Sequence, residues 1–242
     1  MTLGVSGRIS PASPPSLPGT LAGALLVAGK DLRIEIRTRE IVTTAGFFAA
    51  LVAILTSVAF YSGPDTTRRV APGAIWLAEA FSSILALGRT WQRERDDGAM
   101  LALLVSPLPR PAIFLGKALG IFVFVSVVVA IVVPIVALLF HVDLLEVGPH
   151  LVVVLLLGTI GVAATGTLFG VMTVRTRARD LVLATVLFPL LSPALICGVA
   201  ATREIFAGAP LDELTDYFLL LVVFDLVAGG LGLMLFGTLV ED

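Results

Sequence analysis

The stretch LGIFVFVSVVVAIVVPIVALLF, residues 119–140, decides the fold. It is 22 residues long and contains no charged side chain. A helix rises about 1.5 Å per residue, so about 20 apolar residues cross a hydrocarbon core of roughly 30 Å. This stretch therefore predicts a transmembrane helix.

Five further stretches have the length and apolar content of a membrane span. Together with the first, the predicted spans cover residues 45–61, 70–87, 119–140, 151–174, 181–201 and 218–240. Of the 242 residues, 57% are hydrophobic and 14% are charged, which is more apolar surface than a soluble domain of this size can bury. The alternation that a membrane β-barrel requires is absent. We predict an all-α, polytopic membrane protein with six transmembrane helices, folded as one membrane domain over residues 21–242.

The basic residues predict the orientation of these spans. Thirteen of the sixteen Lys and Arg residues precede the first span or follow the second and fourth, and three lie in the opposite loops. The positive-inside rule then places both termini in the cytoplasm.

The N-terminal region divides into two parts. Residues 1–20 are rich in Ser and Pro and lack the layout of a cleaved signal peptide, so we expect a disordered tail and a first span that directs insertion. Residues 21–41 carry an apolar helical face and a basic one, which favours an amphipathic helix in the membrane interface over an ordinary cytoplasmic helix. The apolar face comprises Leu25, Ala28, Leu32 and Ile36, and the basic face Lys30, Arg33 and Arg37.

The loop after the second span joins a charged segment, residues 93–97, to a short apolar one, residues 100–105. Six apolar residues cannot cross a bilayer. Gly98 can cap or break a helix between the two parts, and Pro107 ends any helix that follows. The pattern predicts a short cytoplasmic helix whose apolar surface needs a cover: a partner protein, the lipid surface or the chain's own helices.

Several residues within or near the spans are candidates for a pathway or a hinge. A carboxylate in mid-membrane is costly unless it is protonated, paired or wetted, which singles out Glu79 and, nearer the outer interface, Asp225. Pro189 and Pro193 predict that the fifth span bends or breaks, although neighbouring groups can also satisfy the freed carbonyls. The glycines of the fourth span permit close helix packing, by default within one subunit.

Catalytic motifs are absent from the sequence. Neither Gly-Lys pair has the spacing of a P-loop, so we expect no ATP hydrolysis by this chain. His141 and His150 lie in an outer loop, too few for a metal site although either could ligate haem iron, and Cys197 is the single cysteine. We expect no enzymatic activity, no metal, no bound cofactor and no nucleic-acid partner.

Four segments together resemble the CcmB family, haem exporter protein B of cytochrome c maturation. They are RTWQRERDDGAMLALLVSPLPRPAIFLGK (89–117), KDLRIEIRTRE (30–40), PGAIW (72–76) and FPLLSPALI (188–196). Within the first, ERDDGAMLALLVSP is shared with the wider ABC-2 type permeases.

The resemblance implies a bacterial inner-membrane subunit, in two copies, of an ABC complex in which a separate ATPase, CcmA, binds ATP and docks on a coupling helix between spans 2 and 3. The docking residues would be Glu94, Arg95, Gly98, Leu101, Leu104 and Pro107, with Arg175, Arg177 and Arg179 as secondary contacts. It further implies association with CcmC and CcmD and a functional link to the haem chaperone CcmE. Haem would be the substrate, and the outcome would be either haem export or release of haem-loaded chaperone. Two alternatives stay open: an ABC-2 exporter of lipid, polysaccharide or drug, and a force-transmitting membrane subunit without a substrate.

Overall fold

The computed structural model describes residues 19–60, 63–96, 98–173 and 179–241, so nearly all of the expected N-terminal tail lies outside the described residues. In the described part the secondary structure is entirely helical. The helices are α1 (Thr20–Thr38), α2 (Glu40–Ala59), α3 (Pro64–Asp96), α4 (Ala99–Val105), α5 (Arg110–Phe140), α6 (Leu144–Thr173), α7 (Arg179–Ala207) and α8 (Leu211–Glu241).

Six helices are long and apolar enough to cross a membrane, which confirms the predicted fold class. The candidate spans are Glu40–Ala59, Arg69–Asp96, Arg110–Phe140, Leu144–Met172, Thr185–Ala207 and Leu211–Val240. Several helices exceed the predicted spans. The 33 residues of α3 correspond to about 50 Å, so one end of this helix must project beyond a hydrocarbon core of roughly 30 Å.

Trp76 of α3 is the central packing residue of the bundle. Its indole is buried between α6 and α7, where a Cβ at Gly158 or Gly198 would overlap the ring. Its Nε1–H donates a hydrogen bond of 2.9 Å to Oγ1 of Thr202. Further along the same helices Gly166 faces Leu87, so these α6 glycines serve packing within the subunit, as predicted.

The N-terminal helix α1 forms as predicted, but a different face of it is buried. Leu25 and Ile36 are exposed, as a helix in the interface requires, whereas Ala28 is buried. The helix packs mainly against α5, and its buried stripe continues into two acidic residues, Asp31 and Glu35. They are buried because cationic side chains of α3 and α5 meet them.

The fifth span is not broken, because α7 runs as one helix from Arg179 to Ala207 through both prolines. Pro193 has no N–H to donate to the carbonyl of Pro189, and the Ser192 hydroxyl donates to that oxygen instead, at 2.7 Å. The described segment between α7 and α8 contains no re-entrant helix, since α8 begins at Leu211 after a turn through Gly208 at φ 81°.

Candidate coupling site

The short helix α4 lies between α3 and α5, as the loop pattern predicted. Gly98 precedes it at φ 61°, a left-handed conformation that favours glycine, and thereby separates α4 from the end of α3. Leu103 packs partly against the core, whereas Val105 is 87% exposed. The helix is therefore anchored on one side and presents apolar surface on another.

Four charged side chains meet near the end of α3, just before α4 in the chain, and we call Lys30, Asp31, Glu94 and Lys117 the charge cluster. The last three are buried, whereas the Lys30 side chain is 37% exposed. Lys117 of α5 is 1% exposed, and its Nζ lies 2.7 Å from Oδ2 of Asp31 and in direct contact with Oε1 of Glu94. Lys30 donates to the same Glu94 oxygen at 2.7 Å and lies 3.2 Å from Oδ1 of Asp31. The cluster joins α1, the end of α3 and the start of α5.

The charges of this cluster balance, since two ammonium groups face two carboxylates. Burial alone would lower the pKa of Lys30, but the charges of Asp31 and Glu94 outweigh burial and raise that pKa above its ordinary value. Lys30 therefore stays cationic at neutral pH. Removing a buried member of such a set leaves an uncompensated charge, at a typical cost of about 3–5 kcal/mol.

A second set of ion pairs, one turn further along α1, joins this helix to α3 and joins α3 to α2. Arg93 lies 3.6 Å from Glu35 and 3.2 Å from Glu40, and Arg89 lies 3.4 Å from Glu40. Glu35 also accepts a hydrogen bond of 2.9 Å from the backbone N–H of Val42, in the first turn of α2. One acidic side chain of α1 thus fixes the turn into the first span.

Gly98 precedes α4, and the other predicted docking residues fall into three groups. Glu94 is 4% exposed and points into the charge cluster, so its side chain is not available to a contact surface. Arg95 and Pro107 are exposed, and Arg95 is paired with Asp96 at 3.3 Å. The remaining positions lie outside the described side chains: Leu101, Leu104, Arg175, Arg177 and Arg179.

Glu79 is buried in the centre of the bundle, where α3 meets α6. Its Oε1 lies 2.9 Å from Oγ1 of Thr159, and its Oε2 has no hydrogen-bond partner within the described part of the chain. The Thr159 hydroxyl also lies 2.7 Å from the carbonyl oxygen of Leu155. A hydroxyl has one proton, so this arrangement is satisfied when Thr159 donates to Leu155 and a neutral Glu79 donates to Thr159.

A cavity of about 570 Å³ opens between α3 and α7. Its walls are mostly apolar and include Trp76, Phe188 and Ile196, and its end near the α7–α8 turn carries Arg203 and Glu204. Such a shape suits an amphiphile with an apolar body and a polar end. Neither Glu79 nor the prolines of α7 line it, so the described structure does not join the predicted pathway residues into one site.

The remaining candidates are the two histidines, at the end where α5 and α6 meet, and Asp225, within the bundle. His141 terminates α5 at φ 57°, and His150 lines a separate cavity of about 200 Å³ together with Glu146. Asp225 of α8 is half-buried and faces Gly161 of α6, where a Cβ would come within 2.6 Å of its Oδ1.

The described part of the chain has six long apolar helices, a short helix between two of them and a charge cluster near the end of α3. These features define a polytopic helical membrane protein with a candidate coupling element. The family model of the CcmB protein matches residues 23–238, and the chain belongs to this family.

Named relatives agree with that membership. Heme exporter protein B of Paracoccus denitrificans is 35% identical over 191 residues, which cover 77% of this chain and 84% of the relative. Heme exporter protein B of Pseudomonas aeruginosa is 28% identical over 215 residues, which cover 85% of this chain and 95% of the relative.

Proposed function

We propose that this chain is the bacterial inner-membrane permease subunit of an ABC complex for cytochrome c maturation. In this proposal a separate ATPase, CcmA, docks on α4, and its ATP cycle drives haem export or the release of haem-loaded CcmE. The chain itself carries no catalytic site, and CcmC and CcmD are its membrane partners. Two copies of the chain form the transmembrane part.

The observation that carries the proposal is the position of α4. A seven-residue helix is too short to cross the membrane, yet it is held between two spans and exposes Val105. Exposed apolar surface on an anchored element is typical of a protein contact. The names of the relatives support haem as the exported group, and the cavity between α3 and α7 has the apolar walls that an amphiphilic substrate needs.

The test is Val105→Asp, with co-purification of the ATPase as the measurement. A carboxylate buried without a partner in an apolar contact should reduce recovery of the ATPase by about tenfold. The matched control is Leu145→Asp, because Leu145 is equally apolar, is 93% exposed and lies at the opposite end of the bundle. Both variants should insert normally, and undiminished ATPase recovery with Val105→Asp would refute docking on α4.

Haem export and chaperone release are distinguished by reconstituting the complex in vesicles with haem on one side. Haem that crosses the bilayer during ATP turnover supports export. Release of CcmE without haem movement supports the mechanical alternative.

A further inference from the structure

The charge cluster joins the two ends of the segment that carries α4. Glu94 and Lys117 are 23 residues apart in sequence, and their side chains are in direct contact. Residues 95–116 thus form a loop whose two ends are fixed to each other, with α4 inside it. The contact is buried, so water does not weaken it as it weakens a surface pair.

The same lysine also fixes α1 to this loop. Its Nζ contacts Asp31 at 2.7 Å, and Lys30 of α1 contacts Glu94 at the same distance. Packing supports these bonds, because a Cβ at Gly116 of α5 would lie within 2.6 Å of Cβ of Val27, so α1 approaches α5 closely at this point. α1 is therefore attached to both ends of the loop and not only to one helix.

We infer that Lys117 is a positioning residue that makes α1 and the α4 loop move as one unit. A displacement of α4 by a bound ATPase would reach α1 through Lys117, and α1 carries exposed Leu25 and Ile36 for the membrane interface. The ATP-dependent part of this inference rests on the proposed function; the mechanical link does not.

A disulfide reporter can measure the link directly. In a Cys197→Ser background, Gly23→Cys with Ala112→Cys places one thiol on α1 and one on α5, since a Cβ at Gly23 lies 3.1 Å from Cβ of Ala112. This separation is a few tenths of an ångström below the usual range for disulfides, so a small local shift closes the bond. The initial rate of oxidation then reports how firmly α1 is docked.

Lys117→Met should slow this oxidation by about tenfold, because it removes the group that joins three helices and leaves a buried negative charge. Lys117→Arg, which keeps the charge, should recover much of the rate. An unchanged rate in Lys117→Met would overturn the inference.

A charge-balanced variant separates positioning from simple stability. Lys117→Met with Glu94→Gln leaves Lys30 paired with Asp31, so the amount of inserted protein should return to that of the parent. The oxidation rate should stay low, because α5 is no longer tied to α1 and α3. Full recovery of the rate would show that Lys117 acts only through charge balance and would overturn the positioning role.

The final measurement compares oxidation with and without ATP in the complex with the ATPase. ATP should change the rate in the parent protein and not in the charge-balanced variant. An equal ATP response in both would also overturn the inference. If the ATPase does not bind the parent at all, the proposed function fails, while the nucleotide-free rates still decide the role of Lys117.

Discussion

The surroundings of Glu79 predict the protonation state of its side chain. It is buried, no described lysine or arginine forms an ion pair with it, and the single proton of Thr159 has another acceptor. A neutral carboxylic acid satisfies these contacts, and an ionised one would cost several kcal/mol in this position.

We therefore expect Glu79→Gln to fold and function like the parent, because the amide N–H₂ can donate to Thr159 in place of the acid. Glu79→Lys should reduce the amount of inserted protein strongly, since it puts an unpaired cation in the core. Detergent-solubilised yield and thermal unfolding measure both effects. A Glu79→Gln protein as unstable as Glu79→Lys would show that the negative charge itself is required.

Lys117 shows what residue patterns could and could not reveal. A lone lysine in the apolar stretch FLGKALG, residues 114–120, indicates a buried cation that needs a partner. Its partners are 86 and 23 residues away in sequence, so no local pattern identifies Asp31 and Glu94. Glu94 was accordingly predicted to belong to a docking surface and Lys30 to a basic helix face.

At the scale of one element, α6 offers two glycines with opposite environments. A Cβ at Gly158 would overlap the Trp76 ring, whereas a Cβ at Gly148 would meet nothing within 4 Å. Gly158→Ala should destabilise the protein by about 1–3 kcal/mol through overpacking. Gly148→Ala should be neutral or stabilising by up to about 1 kcal/mol, because alanine favours the helix. Unfolding of both variants in a detergent titration measures the difference, and equal stability would argue against the Trp76 packing.

Hydropathy located each span but not the ends of the helices. The second predicted span stopped at residue 87, while α3 continues to Asp96, because Arg89, Arg93 and Glu94 find ionic partners on α1, α2 and α5 and remain helical. Amino-acid composition does not reveal ion pairs between residues that are far apart in sequence.

The prolines of α7 show that hydropathy also does not predict local hydrogen bonding. The fifth span was predicted to bend or break, and α7 is continuous, since one serine hydroxyl replaces one missing backbone donor. Both deviations arise from hydrogen bonds and ion pairs between specific partners, which apolar periodicity does not encode.

Among the described residues of the whole molecule, the ion pairs between helices gather at one end of the bundle. They join α1, α2, α3 and α5 where α3 finishes and α5 begins, which is the end that carries α4, and the α5–α6 and α7–α8 turns lie at the opposite end. This segregation agrees with the distribution of basic residues along the chain. It supports the proposal that the α4 end faces the cytoplasm.

Two exposed apolar residues at opposite ends allow a test of that orientation. In a Cys197→Ser background, Val105→Cys and Leu145→Cys each present one accessible thiol. With a membrane-impermeant maleimide added to spheroplasts that lack the ATPase, we expect labelling of Leu145→Cys at once and of Val105→Cys only after permeabilisation. Moving the α4 end across the membrane during insertion costs free energy, and the thirteen basic residues on that side of the spans increase this cost. The reverse pattern of labelling would place α4 outside the cytoplasm and would remove the basis for an ATPase contact.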